Sequence, residues 1–235
     1  MPPRPYSSAQ VHAATLLARG RAAAPATAAA SRFKVYANPQ ERVRLPALER
    51  VEAGGVWEAL VGARGGPAEG GSLDQAELGR VLWAAAGLVD ARERTHLVPA
   101  EVAGIEAYVF VHSVRELSAG RYHYDAREHT LEQLTCGDAR PEIAGALLDR
   151  DDLSDYATTL VLSGIPARLV AGHGPRAYRL LTLEAGAAAQ SAVVAATALG
   201  LTGCLVAGFY DAELAALMEL DAALEPPLAV VLLGR

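Results

Sequence analysis

The residues of this chain that could do chemistry are its six histidines, its two cysteines and a few carboxylates and tyrosines set in apolar runs. A metal site needs His, Cys or carboxylate ligands at defined spacing. His123 and His129 fall on one predicted hairpin, His173 lies in the loop GHGPR, and no set of ligands has metal spacing, so no metal is expected. Cys136 and Cys204 are too few for a disulfide framework. Cys204 sits in an apolar run, where a thiol is usually buried and inert rather than nucleophilic. The segment GARGG at 62–66 lacks the Lys-Ser/Thr ending of a phosphate-binding loop. Tyr122 and Tyr124 read as packing residues. Glu106, Tyr108 and His173 are candidate general bases. None of them stands out, and the catalytic residue is left unknown.

The elements that must position these groups interleave. Residues 7–20 have helical spacing, with Val11, Leu16 and Leu17 on one side, and an Ala-rich stretch runs from Gly20 to Ala30. Next comes an extended arm, FKVYANPQERVRLP, whose Phe33, Val35, Tyr36, Val43 and Leu45 need a surface to lie on. Val56–Val61 reads as the end of a helix and 62–71 as a loop. Ser72, with Gln75 three residues on, predicts the N-cap of a helix that stops near Gly87. Strands are predicted at 105–112, at 121–125 with a hairpin partner beginning at His129, at 158–165 and at the C-terminal LAVVLLG. Helices are predicted from Pro141 and after Asp211, read as a cap. This pattern makes the fold class α+β or α/β.

The stretch from Glu184 to Asp211 has no charge between its ends and breaks at Gly200-Leu-Thr-Gly203. It is long enough to raise a membrane span. Its many small residues, Gln190 and the glycine turn instead favour a buried core helix followed by a strand. A net charge of −6 with Lys34 as the only lysine argues against general nucleic-acid binding. No apolar run follows a basic N-terminus, so the expected location is the cytoplasm.

Several strings, in order, resemble the SagB-type dehydrogenase branch of the nitroreductase-like superfamily of FMN-dependent oxidoreductases. They are His12 with Thr15, FKVY and VRLP; LGRVLWAAAGL; GRYHYDAREHTLEQL; RAYRLLTLEAG with Gln190; TALGL and GCLVAGFYDAEL; and LAVVLLGR. The resemblance implies an α+β fold with a mostly antiparallel central sheet flanked by helices and a long Ala/Gly-rich helix at the core of a homodimer. It divides the chain into an N-terminal extension and arm (1–50) and a nitroreductase-like domain (51–235). It implies FMN between the protomers, NAD(P)H as a possible donor, and a small molecule or peptide heterocycle as substrate.

The family's flavin motifs are degenerate here. An RRSxR-type phosphate arm is reduced to LVGAR, leaving Arg64 as either a phosphate ligand or a solvated loop arginine. The Pro-Ser-Ala-Gly…Tyr-Pro loop is replaced by HLVPAEVAGIEAY (96–108), without its serine and with Ala103 for the tyrosine. Leu205, Ala207 and Gly208 match the segment beside the flavin ring, where small residues let backbone approach; tight core packing is the other reading. Arg235 is a further candidate for the phosphate, as are Arg176 and Arg179. Two functions follow: a flavoprotein oxidoreductase, or a non-catalytic scaffold of the same fold that has lost flavin.

Overall fold

The computed structural model describes residues 7–16, 31–48, 55–90, 93–148 and 153–235. Leu17 and the Ala-rich stretch read at 20–30 lie outside them. Seven strands form one sheet in the order β1-β4-β3-β2-β5-β7-β6. They are β1 (Glu41–Arg44), β2 (Ile105–Val111), β3 (Gly120–Asp125), β4 (Thr130–Cys136), β5 (Tyr156–Gly164), β6 (Thr202–Val206) and β7 (Pro227–Gly234). All six pairings are antiparallel, which fixes the class as α+β. The helices are α1 (Ser8–Ala14), α2 (Val56–Gly62), α3 (Gln75–Ala86), α4 (Arg140–Ala146), α5 (Val170–His173), α6 (Ala177–Ala198) and α7 (Asp211–Leu217).

Strand periodicity divides the side chains between two faces. Ala107, Val109, Leu160, Leu162, Val231 and Leu233 point to the face packed by α3 and α6. Tyr108, Phe110, Val161, Val230 and Leu232 point to the other, covered by α4 and α7 through Ile143, Leu214 and Met218. The small residues of α6 (Ala185, Ala188, Ala189, Ala192 and Ala196) are fully buried and let its backbone lie close to the sheet. Residues 170–198 are, by length and composition, apolar enough to cross a membrane, but half of that window is buried inside the protein. The opposite side of α6 is open at Leu183, Gly186 and Gln190.

Several local readings need correction. The cap of α3 is Asp74, not Ser72: Asp74 accepts from Glu77 N–H at 2.7 Å and Glu77 answers at 2.8 Å, a complete capping box. Ser72 instead bonds Ser113 at 2.6 Å. Asp211 is the first residue of α7, and Tyr210 is its N-cap without a side-chain bond. Around α1, Val11 and Leu16 are exposed and Thr15 is the buried residue. Arg176 donates to the Thr15 carbonyl at 3.1 Å, and Arg179 donates to its hydroxyl, so both predicted phosphate candidates hold α1 in place.

Candidate functional site

Of the five residues expected at the flavin, Leu205 lies on β6, Ala207 and Gly208 follow it directly, Arg64 is in the loop after α2 and Arg235 comes just after β7. The loop after α2 runs back along β6 and the end of β7. Gly65, with φ of 71°, lies against Cys204, and Gly71 lies against the Arg235 side chain. Glu69 N–H donates to the Arg235 carbonyl. Leu205, Ala207 and Arg64 are exposed, and Arg64 Nε donates to its own turn at Val61 O, its one bond among the described residues. Two residues are engaged elsewhere. Arg235 pairs with Glu77 at 2.6 Å and donates to Ser72 O. Gly208 accepts from Leu148 N–H at 2.9 Å and faces the Leu148 side chain. Leu205 and Ala207 thus leave the end of β6 exposed. Of the two arginines, Arg64 makes no ion pair among the described residues, whereas Arg235 is held by Glu77.

The even-numbered side chains of β2 and their neighbours build a second, buried cluster on the α4/α7 face. His123 bridges two carboxylates, Glu132 at 2.9 Å through Nδ1 and Glu106 at 3.2 Å through Nε2. Arg168 pairs with Glu106, and Arg42 with Glu132 at 2.6 Å. Tyr108 donates to Glu225 at 2.8 Å, Ser163 donates to the same oxygen, and Lys34 bridges Tyr108 and Glu225. The arm supplies the lid. Lys34 N–H and Tyr36 N–H reach Glu106 and Glu132, and Tyr36 packs edge-on to Tyr108. Phe33 lies near the guanidiniums of both Arg94 and Arg127.

Charges in this cluster compensate one another. Burial pushes the Glu106 carboxyl up, but the bond to His123 and the Arg168 charge outweigh it and hold it below the ordinary range. Burial pushes the His123 imidazole down, and its bonds to Glu106 and Glu132 more than restore it. Burial drives the Tyr108 hydroxyl far up. Glu106 and Tyr108, two of the candidate bases, are therefore locked in ion pairs and hydrogen bonds. His173 ends α5, outside the cluster. Nearby, His112 is held by Asp138 at 2.9 Å and Thr159 at 3.1 Å. Burial lowers its imidazole to about 4 against the pull of Asp138.

A third arrangement escaped the sequence reading. His96 and Glu184 are 88 residues apart and both fully buried, and His96 Nε2 lies 3.1 Å from Glu184 Oε1. Glu184 also accepts the Gly104 N–H at 2.9 Å. A side chain at Gly104 would collide with Leu181, so only glycine lets this strand start approach α6 so closely. His96 lines a cavity of about 310 Å³ shared with Glu93, Arg94, Leu97, Val98, Ala100, Glu101 and Ala103. Unpaired polar residues in apolar strands, Glu106 and His123 above all, were the available signal for the second cluster. Nothing in the sequence linked residue 96 to 184.

With this geometry in hand, the relatives are informative. The profile described as the Nitroreductase family matches residues 71–235. A candidate nitroreductase of Methanocaldococcus jannaschii is 30% identical over 161 residues, 68% of this chain and 79% of its own. The crystal structure of a candidate nitroreductase from Ralstonia eutropha superposes with a TM-score of 0.73 at 24% identity, covering 90% of this chain and 96% of that one. A chain of the E. coli microcin synthetase McbBCD complex, solved with truncated pro-MccB17 bound, gives 0.65 at 22% identity, covering 86% and 77%. These two structures share the fold of the seven-stranded sheet, and the profile spans every strand but β1 together with α3–α7. On that match, this chain belongs to the nitroreductase family.

Proposed function

We propose that the protein is an FMN-dependent oxidoreductase of the SagB-type dehydrogenase branch, acting on a small molecule or a peptide heterocycle. The observation that supports this reading is the glycine loop after α2, which lays Gly65 against Cys204 and Gly71 against Arg235 and so carries the chain of Arg64 to the β6–β7 side of the sheet. When bound, the flavin supplies the hydride chemistry, with NAD(P)H as the donor where reduction is required. The chain's own residues bind and orient. The Arg64 fork receives the phosphate, Leu205 and Ala207 lie along the ring, and Gly208 sets the backbone turn beside it. Arg235 joins the phosphate on release from Glu77. The chain divides into an N-terminal extension and arm, 1–50, and a nitroreductase-like domain, 51–235, and the protein works in the cytoplasm.

The second half of the site belongs to another copy. Helix α2 presents Val56, Trp57, Leu60 and Val61 to solvent, with Trp57 76% exposed. Beside it, α2, α3 and α6 line an apolar hollow of about 500 Å³ through Ala59, Trp83, Val194 and Ala195. An exposed apolar face of this kind marks an association surface, and a homodimer is the occupant we assign.

The alternative, a non-catalytic scaffold, draws support from the engagement of Arg235 by Glu77 and of Gly208 by Leu148. The visible spectrum of the protein, recorded after adding excess FMN and desalting, decides between them. About one flavin per protomer is expected. A protein that stays colourless eliminates the oxidoreductase reading.

A further inference from the structure

The His96–Glu184 pair has the parts of an oriented base. A carboxylate presents only lone pairs, and Glu184 already accepts the Gly104 N–H, so the hydrogen shared with His96 sits on Nε2. That tautomer leaves Nδ1 bare. Nδ1 is buried and finds no hydrogen-bond partner among the described residues. A buried acceptor left unmatched is unfavourable, and most such atoms in folded proteins are paired. His96 is one of the residues around the cavity at 93–103, its ring closed off from solvent, and the charged walls are Glu93, Arg94 and Glu101. The rest of the wall is the coil 97–103, which has no helix or strand bonds and leaves Leu97 73% exposed.

We propose that His96 is a proton-exchanging base for a ligand held in this cavity, one that presents an N–H or O–H to Nδ1 as the coil parts. The step is a proton transfer alone: the N–H or O–H bond breaks, its electron pair stays on the ligand, and Nδ1 takes the proton. Glu184 is the positioning residue. It fixes the tautomer and faces the imidazolium that forms, as a carboxylate behind a catalytic histidine does. As a catalytic role this rests on the oxidoreductase reading above; as a binding site it does not.

Two measurements separate the two. Phenol has one O–H donor, and anisole is the same ring with that donor methylated. Added to the full chain carrying ¹⁵N-labelled histidine, phenol should move the His96 Nδ1 resonance and anisole should not, with Nε2 protonated throughout. An Nδ1 already protonated in the free protein, or one that answers neither compound or both alike, overturns the site. In FMN-loaded protein reducing 1,4-benzoquinone with NADH the same exchange runs in reverse, the protonated ring giving its Nδ1–H to the quinone oxygen that the hydride leaves electron-rich, and His96→Gln should lower turnover about 100-fold and remove one limb of the pH profile. Gln keeps a donor for Glu184, so flavin absorbance should not change. Glu184→Gln should shift that limb rather than abolish it. Undiminished turnover in His96→Gln overturns the proton role. If the protein refuses FMN, the oxidoreductase reading falls and the phenol–anisole comparison alone decides on the site.

Discussion

Every carboxylate in the cluster around His123 has a cation or donor within reach, so removing one member strands another. Glu106→Gln leaves Arg168 buried without its counter-charge, and the expected loss is about 3–5 kcal/mol, read by urea denaturation. The cluster also gives stability a pH dependence whose sign can be worked out. His123 is raised above its ordinary 6.5, so its contribution is complete below 6.5 and is lost as pH rises through the folded value. Glu106 and Glu132 are lowered below 4.5, so theirs is complete above 4.5 and is lost as pH falls through their folded values. The destabilisation caused by His123→Gln should therefore be largest between pH 4.5 and 6.5 and shrink on either side. His112 has the opposite sign. With its folded value near 4, the unfolded chain takes up that proton first as pH falls below 6.5, and the fold loses stability. At this scale the sequence was informative about residue type and silent about partners. Glu106, Tyr108 and His123 were conspicuous as polar residues in apolar strands, yet Lys34, Ser163, Arg168 and Glu225 join them only through sheet register and the return of the arm.

The elements themselves were far more legible. The apolar runs of β2 and β5, the hairpin of β3 and β4, and the Ala-rich α6 with its stop at Gly200 all stand where their patterns put them. Errors gathered at the ends, where neighbouring polar residues compete for one cap: Ser72 and Asp74 both had a glutamine or glutamate three residues on, and only Asp74 directs its oxygen to the first turn. The buried alanines of α6 make a sharp test of close packing. Ala188→Leu forces three extra carbons against the sheet-facing layer and should cost about 1–3 kcal/mol, seen as a lower thermal midpoint with unchanged circular dichroism at low temperature.

For the whole molecule, sequence patterning implied a sheet with helices on its faces but not which surface stays open, because an apolar helix reads the same whether its cover is the chain itself or another copy. The structure leaves α2 and one side of α6 uncovered. Trp57→Glu should convert the proposed dimer to a monomer in light scattering while leaving the far-ultraviolet circular dichroism unchanged. A protein that is monomeric before the substitution contradicts the assigned interface.

The two outer strands of the sheet are guarded in different ways, and the difference has a bearing on how the protein behaves when concentrated. The outer strand β1 is four residues long and carries Glu41, Arg42 and Arg44, charges that discourage a second chain from docking. On the opposite side β6 reads TGCLV, with no charge at all, and is shielded by the loop that Gly65 turns against Cys204. Gly65→Val would place a branched side chain at φ of 71°, a conformation such residues avoid. Lifting that loop bares an uncharged strand ready to recruit others, so the variant should turn cloudy and bind thioflavin on storage while the native protein stays clear.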